Sequence, residues 1–284
     1  MQFKPLHSLF VAEVFGINLA TPLTPDSVSA LEDAMAKYAV LIFRDQPINE
    51  DQHAQFTRNF GSIDAGLTVA NGVPRRLQNP DVIDLANIDN EGQIYAAAHV
   101  RNVSLIANQM WHSDSSFKSP KARYSVLCGI DLPVIGGDTE FADQRAAYDA
   151  LDDATKVEIG DLVAEHWAFH SRNILGGGGY SQAGMDRLPP VDWPLVQVVP
   201  ESQRSTLFVG VHTREIRGMP TAAARMFLMD LLEHATQRKF VYRHAWRNGD
   251  VVMWDNRCTL HRGRRYDLSA KRELRRCTTE SIVA

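Results

Sequence analysis

The chain has 284 residues, long enough to bury a sizeable core, with the 44% hydrophobic and 23% charged content of an ordinary globular protein. A formal net charge of −4 argues against a general nucleic-acid binder, and no apolar run approaches the roughly 18 residues that a membrane span needs. Cys128, Cys258 and Cys277 form no C-x-x-C pair, and Met1–Pro5 lacks the layout of a signal peptide, so reduced thiols in a cytoplasmic protein are expected.

Residues 6–23 alternate loosely through Leu9, Val11, Val14 and Ile17 and predict short strands. Thr24-Pro25-Asp26 is a helix start, and the helix runs to about Lys37 with Val28, Leu31 and Met35 on one side. Ala39–Phe43 is an apolar run of strand length, and a second helix is expected from near Asn49 to Phe60, ended by Gly61. From 62 to 108 regularity breaks down around Asn71-Gly72, Pro74 and Asn79-Pro80, with one short strand at Val82–Leu85. So long an irregular connection, leading straight into a run of polar residues, is read as a lid.

Arg123–Ile130 predicts a strand, and Gly136-Gly137 a turn entering another strand that reaches Phe141. Residues 143–163 predict a helix with Ala147, Leu151, Val157 and Leu162 inward. Gly176–Gly179 lacks the Lys-Ser/Thr of a phosphate loop and reads as a flexible loop. A strand at Leu207–Val211, a helix from Pro220 to about Ala235 and a strand at Asp250–Trp254 after the Asn248-Gly249 turn complete the pattern. Many short strands with a few helices predict a mainly β fold, an antiparallel sandwich or barrel with flanking helices, in one domain spanning 1–284.

Chemistry concentrates in two stretches. His112-Ser113-Asp114, placed in a strand, would turn one imidazole and one carboxylate to the same face. His261, at the end of Trp254-Asp-Asn-Arg-Cys-Thr-Leu-His261, can supply the second imidazole of a two-His, one-carboxylate triad, the donor set of non-haem Fe(II) oxygenases. Between Arg257 and Arg276 stand eight Lys or Arg against two acids, either a solvated edge or an anion site. A strand through Arg272–Arg276 would put Arg272, Leu274 and Arg276 on one face, and an Arg sharing a face with Leu points inward, where its fork can grip a carboxylate. His166, His170, His212, His234 and His244 read as surface or satisfied core residues, Arg172 and Arg217 as exposed unless they serve as second anion clamps, and Cys128 and Cys258 as buried and inert.

With Trp111–Phe117, Gly136–Phe141, Glu233–Thr236 and Trp254–Arg276 all in register, the chain resembles over nearly its full length the Fe(II)- and 2-oxoglutarate-dependent dioxygenases of the taurine/2,4-dichlorophenoxyacetate group, most of all the aryloxyacetate dioxygenases. The resemblance implies a double-stranded β-helix, a cupin-like jelly roll. It implies that His112, Asp114 and His261 bind Fe(2+), that Thr139 and Arg272 grip 2-oxoglutarate, and that Trp254 lines that pocket. Arg276 and Asn108 become the substrate contacts, for a small carboxylic acid, while Ser115 either joins them in the substrate mouth or caps a turn. The implied reaction consumes O2 and 2-oxoglutarate, with ascorbate stimulating. It hydroxylates the carbon beside the ether oxygen, and the hemiacetal collapses to a phenol and glyoxylate, with succinate and CO2 as co-products. A homo-oligomer is expected from the shared architecture.

One departure falls in the lid. The 2,4-dichlorophenoxyacetate enzymes carry Lys at two places that correspond to about Val69 and Gln93, and neither residue is basic here. The departure implies a preference for another acid, such as a 2-aryloxypropionate, taurine or a natural aromatic acid, or weak binding of the herbicide. Outside the oxygenases, a zinc hydrolase suits the same three ligands, and a non-enzymatic jelly-roll anion-binding protein suits the basic strand.

Overall fold

The first two strands, β1 (Gln2–Pro5) and β2 (Ala12–Phe15), pair antiparallel. Thr24 then opens α1 (Pro25–Tyr38): its hydroxyl accepts from the Ser27 amide, and Pro25 occupies the first turn. β3 (Val40–Phe43) is buried at all four positions, and α2 (Glu50–Arg58) starts in a capping box between Asn49 and Gln52. This computed structural model describes residues 1–64, 75–96, 99–176 and 182–281. Val69 and Gly177–Gly179 of the expected flexible loop lie outside the described residues, as do parts of the expected lid.

Within 62–108 the described residues form β4 (Ile83–Ala86) and α3 (Val100–Ala107). The long strand β5 (Ala122–Asp131) follows, then β6 (Thr139–Asp143). The helix expected over 143–163 is divided into α4 (Gln144–Asp149) and α5 (Asp153–Ile159), and Val163–His166 is the strand β7. Asp152 causes the break, because its carboxylate accepts from the Thr155 amide and starts a new helix. α6 (His170–Ile174), α7 (Gln182–Asp186), β8 (Val191–Pro194), β9 (Val196–Val199) and β10 (Arg204–Leu207) come next. The strand expected at 207–211 therefore ends where it was expected to begin. β11 (Thr213–Ile216), α8 (Thr221–Ala235), β12 (Val241–His244), β13 (Val251–Asp255), β14 (Thr259–Gly263) and β15 (Glu273–Glu280) finish the chain.

The strands assemble as a double-stranded β-helix. The larger sheet runs β1-β2-β3-β13-β5-β15-β4, and the smaller runs β12-β6-β14. Strand alternation sorts the side chains into two layers. Val40, Ile42, Leu127, Val252, Trp254 and Leu274 meet Phe141 of the smaller sheet between the sheets. Leu41, Phe43, Tyr124, Val126, Val251 and Met253 pack instead beneath Leu31, Met35 and Phe56 of α1 and α2. A separate core joins α4 and α8 to the strands around Leu195 and Ile216. Burying both faces of the larger sheet leaves the open end of the roll as the place for chemistry, and β5, β14 and β15 carry polar side chains to it. Among the described residues no helix is long and apolar enough to cross a membrane.

Candidate metal centre

His112 lies just outside any regular strand, but it is locked to β14 by reciprocal backbone bonds: its amide donates to the His261 carbonyl (3.0 Å), and the His261 amide donates back (2.8 Å). This pair sets the two imidazoles side by side, with ring centroids 4.1 Å apart. Asp114 lies in the turn that follows, not in the extended strand expected for His-x-Asp. One ligand atom from each of the three residues falls within 4.8 Å of the others, and all three residues are buried. Asp114 Oδ1 lies 3.9 Å from His112 Nε2 and 3.8 Å from His261 Nε2.

Protonation suits a cation. His112 Nδ1 donates to the Met110 carbonyl at 2.7 Å, which leaves the Nε2 lone pair facing the centre. Burial pushes the pKa of His112 down against the opposing pull of Asp114, and burial with the neighbouring His112 pushes His261 well below the usual range. Burial alone would raise Asp114, but Arg276, the two His and the Ser125 hydroxyl outweigh it and bring the carboxyl down to about 2. Two neutral imidazoles and a carboxylate are the donor set of a divalent metal ion.

A second layer holds the carboxylate. Ser125 Oγ donates to Asp114 Oδ2 at 2.7 Å and lies 3.1 Å from Thr278 Oγ1. Asn256 Oδ1 accepts from the Asp114 amide and from Trp254 Nε1, and Asn256 Nδ2 donates to Ser125 Oγ. Arg276 Nη1 donates to Asp114 Oδ1. Ser125 and Thr278 were missed at the level of sequence, where Asn256 reads only as holding the strand end, although Ser125 is the one polar residue inside the apolar run Tyr124–Cys128.

Two cavities meet at this centre, sharing His112, Arg276, Asn108, Leu85 and Leu105. The smaller takes in His261, Trp254, Thr139, Tyr266 and Arg272. Arg272 is buried, with no acid paired to it among the described residues; Nη2 donates to the Gly137 carbonyl at 2.9 Å, and Nε has no partner. Gly137 must be glycine, because its φ is +74° and a Cβ would sit 3.0 Å from Arg272 Nε. Thr139 Oγ1 accepts from Trp246 Nε1 at 2.9 Å, and Trp254 packs on His261 with centroids 4.6 Å apart. A buried cation with an orphaned donor, beside a hydroxyl and two steps from the triad, fits a carboxylate ligand.

The larger cavity, of about 230 Å³, takes in Asp114, Ser115, Phe117, Arg172, His212 and Arg276. Ser115 Oγ donates to Asp64 at 3.0 Å, and Asn108 caps α3 while its carbonyl accepts from the Gly263 amide. His212 is buried in the cavity wall, 6.1 Å from the His112 ring and 4.8 Å from Phe117, so it is neither a surface residue nor a remote core one. Arg172 likewise faces this cavity, whereas Arg217 is taken up by Asp192 and Glu165 on the surface. His166 and His244 are buried, as expected of core residues. Gln93 is exposed and touches neither cavity.

Comparison with known proteins agrees with this geometry. The model of the family described as "Taurine catabolism dioxygenase TauD, TfdA family" matches residues 2–278. The chain is 51% identical to an alpha-ketoglutarate-dependent 2,4-dichlorophenoxyacetate dioxygenase of Burkholderia sp. (strain RASC), over 96% of this chain and 92% of that one. It is 35% identical to an (S)-phenoxypropionate/alpha-ketoglutarate-dioxygenase of Delftia acidovorans, over 96% of this chain and 92% of the relative. The crystal structure of AAD-2 in complex with Mn(II) and N-oxalylglycine superposes with a TM-score of 0.93 at 42% identity, covering 99% of this chain and 98% of the other. Matched across nearly all of its length, the chain belongs to the TauD/TfdA family of dioxygenases.

Proposed function

We propose that the protein is an Fe(II)- and 2-oxoglutarate-dependent dioxygenase that hydroxylates an aryloxyalkanoic acid such as 2,4-dichlorophenoxyacetate next to its ether oxygen. The net products are a phenol, glyoxylate, succinate and CO2. The observation that carries the reading is a buried two-His, one-carboxylate cluster between two cavities, each containing an arginine. The relative at 51% identity, named for that substrate, supports it. A zinc hydrolase leaves Arg272 and the second cavity without a task, and an anion-binding module leaves the buried His112, Asp114 and His261 cluster without one.

His112, Asp114 and His261 would hold the iron, which when bound supplies the O2 chemistry that couples 2-oxoglutarate decarboxylation to hydroxylation of the substrate. Each remaining task belongs to the chain. Arg272 and Thr139 fix the far carboxylate of 2-oxoglutarate, with Trp254 as one wall of its pocket. Ser125 and Asn256 hold the Asp114 carboxylate in one orientation. Arg276 binds the acid group of the substrate, with Asn108 and Ser115 at the cavity rim. The described parts of the expected lid, β4 and α3, line the larger cavity and would exclude water from it, with Arg101 of α3 tied to Asp84 of β4 at 3.0 Å. The reading extends to one catalytic domain over 1–284, in a homo-oligomer in the cytoplasm, in accord with three buried free cysteines. Ascorbate would stimulate turnover.

A second reading keeps the chemistry and changes the acid to a 2-aryloxypropionate, favoured by the relative at 35% identity. One assay separates the two. Succinate release is measured with Fe(II), ascorbate and 2-oxoglutarate against phenoxyacetate, 2,4-dichlorophenoxyacetate, both 2-aryloxypropionate enantiomers, cinnamate and taurine. Phenol and succinate formed together from an aryloxyacetate support the first reading. Succinate from another acid alone overturns the substrate and keeps the reaction. In either case His112→Ala abolishes succinate release, and retained turnover would remove the triad from the reaction.

A further inference from the structure

We propose that Arg172 is a second substrate-binding cation, holding the anionic group of the acid in the larger cavity together with Arg276. The inference rests on the dioxygenase reading and deepens it. The cavity is lined by five arginines, at 75, 76, 101, 172 and 276, and by three aspartates, at 64, 84 and 114. Most of this charge is already matched. Arg76 binds Asp84 and Glu273, Arg101 binds Asp84, Arg276 binds Asp114, and Asp64 is held by Lys118 and Ser115.

Two arginines have no acid partner among the described residues. Arg75 is exposed, and its guanidinium donates to the backbone carbonyls of Asn79 and Val82. Arg172 is half-buried on α6, and only its Nη1 is engaged, by the Ala168 carbonyl at 2.9 Å and Ser171 Oγ at 3.1 Å. Those two bonds fix the side chain at the cavity wall. They leave Nε and Nη2, the edge that grips a carboxylate with two parallel bonds, free of any partner among the described residues. Arg172 lines the same cavity as His112, Asp114 and His212.

Arg276 keeps a buried Nε donor without a partner, but its charge is already shared with Asp114 through Nη1. A second, uncompensated cation in the same cavity removes that deficit. Arg172 is therefore a specificity residue for acids over neutral aryl ethers.

The test compares Arg172→Gln and Arg172→Lys with the unaltered protein, loaded with Mn(II) and N-oxalylglycine, by calorimetric titration. The probes are the acid in the panel that the unaltered protein turns over and the neutral amide of that acid. The expected result is that Arg172→Gln weakens binding of the acid by about tenfold or more and leaves the amide nearly unchanged, with Arg172→Lys intermediate. In turnover, the KM for the acid rises and the KM for 2-oxoglutarate stays. Equal losses for acid and amide would reduce Arg172 to an anchor of α6 and overturn the inference, as would acid binding that does not change. Failure of the aryloxyacetate reading shows instead in the unaltered protein, as the identity of the acid that releases succinate.

Discussion

Arg276 and Asp114 form a buried ion pair in which Nη1 donates to Oδ1, the same oxygen that lies closest to the two histidine rings. The residue proposed to bind substrate thus touches a proposed metal ligand directly. Register explains the contact: Leu274, Arg276 and Thr278 alternate onto the inner face of β15, and β15 pairs with β5 so that Thr278 stands opposite Ser125. With those proposed roles, substrate binding and metal geometry would be coupled through one guanidinium.

Arg276→Ala should therefore raise the KM for the organic acid by about tenfold or more, the size of a lost charge-assisted hydrogen bond. The KM for 2-oxoglutarate should change less. Steady-state kinetics with each substrate varied in turn decide the matter, and the reverse pattern would mean that Arg272 and Arg276 have exchanged roles.

Ser125 never reaches substrate, yet it should control the metal. Its hydroxyl donates to Asp114 Oδ2, the oxygen turned away from the histidines, and it is itself held by Asn256. Ser125→Ala frees that oxygen in a buried site and lets the carboxylate turn. The loss expected is about 10- to 100-fold in Mn(II) affinity, with kcat largely recovered at saturating metal. Unchanged affinity by titration would make the hydrogen bond a packing contact.

Arg272→Gln isolates the other cavity. The buried guanidinium has an orphaned Nε and no acid beside it among the described residues, so its charge lacks a partner until a carboxylate arrives. The variant should raise the KM for 2-oxoglutarate by about tenfold or more, leave Mn(II) affinity within a few-fold, and remove most of the thermal stabilisation that N-oxalylglycine gives the Mn(II)-loaded protein. If the stabilisation is retained in full, the cosubstrate binds elsewhere.

The parts of the site readable in the sequence are those carried by strands. Around Trp254, Leu274 and Arg276 side chains alternate with a period of two, so one apolar neighbour fixes which way an arginine points. His112 and Asp114 converge for another reason: the pair of backbone bonds between His112 and His261 positions a short irregular segment, which strand logic does not describe. His212 and Arg172 follow no local pattern, because one sits in a connection and the other on the short helix α6, both placed by tertiary packing. The helix α3 hid within an irregular stretch for a similar reason. Its buried Asn102 donates to the Tyr95 and Ala96 carbonyls and Arg101 reaches Asp84, contacts that no propensity scale contains.

Acid sensitivity should come from buried histidines outside the site. His53 is buried under β5, with Nε2 donating to the Val126 carbonyl at 3.0 Å, and burial lowers its pKa from 6.5 to about 4. Burial lowers His166 to about 3. A depressed folded-state pKa means that the unfolded chain takes up the proton first, so stability is complete above pH 6.5 and falls as pH drops towards 4. Between pH 7.5 and 5, His53 alone should account for about 2 kcal/mol of lost stability, because the unfolded imidazole takes up its proton near pH 6.5 and the folded one only near 4. His53→Gln keeps a donor for the Val126 carbonyl and removes the titration, so urea unfolding should show a drop smaller by about that amount across the same range. A variant whose stability falls as steeply as that of the unaltered protein would place the acid sensitivity on other groups.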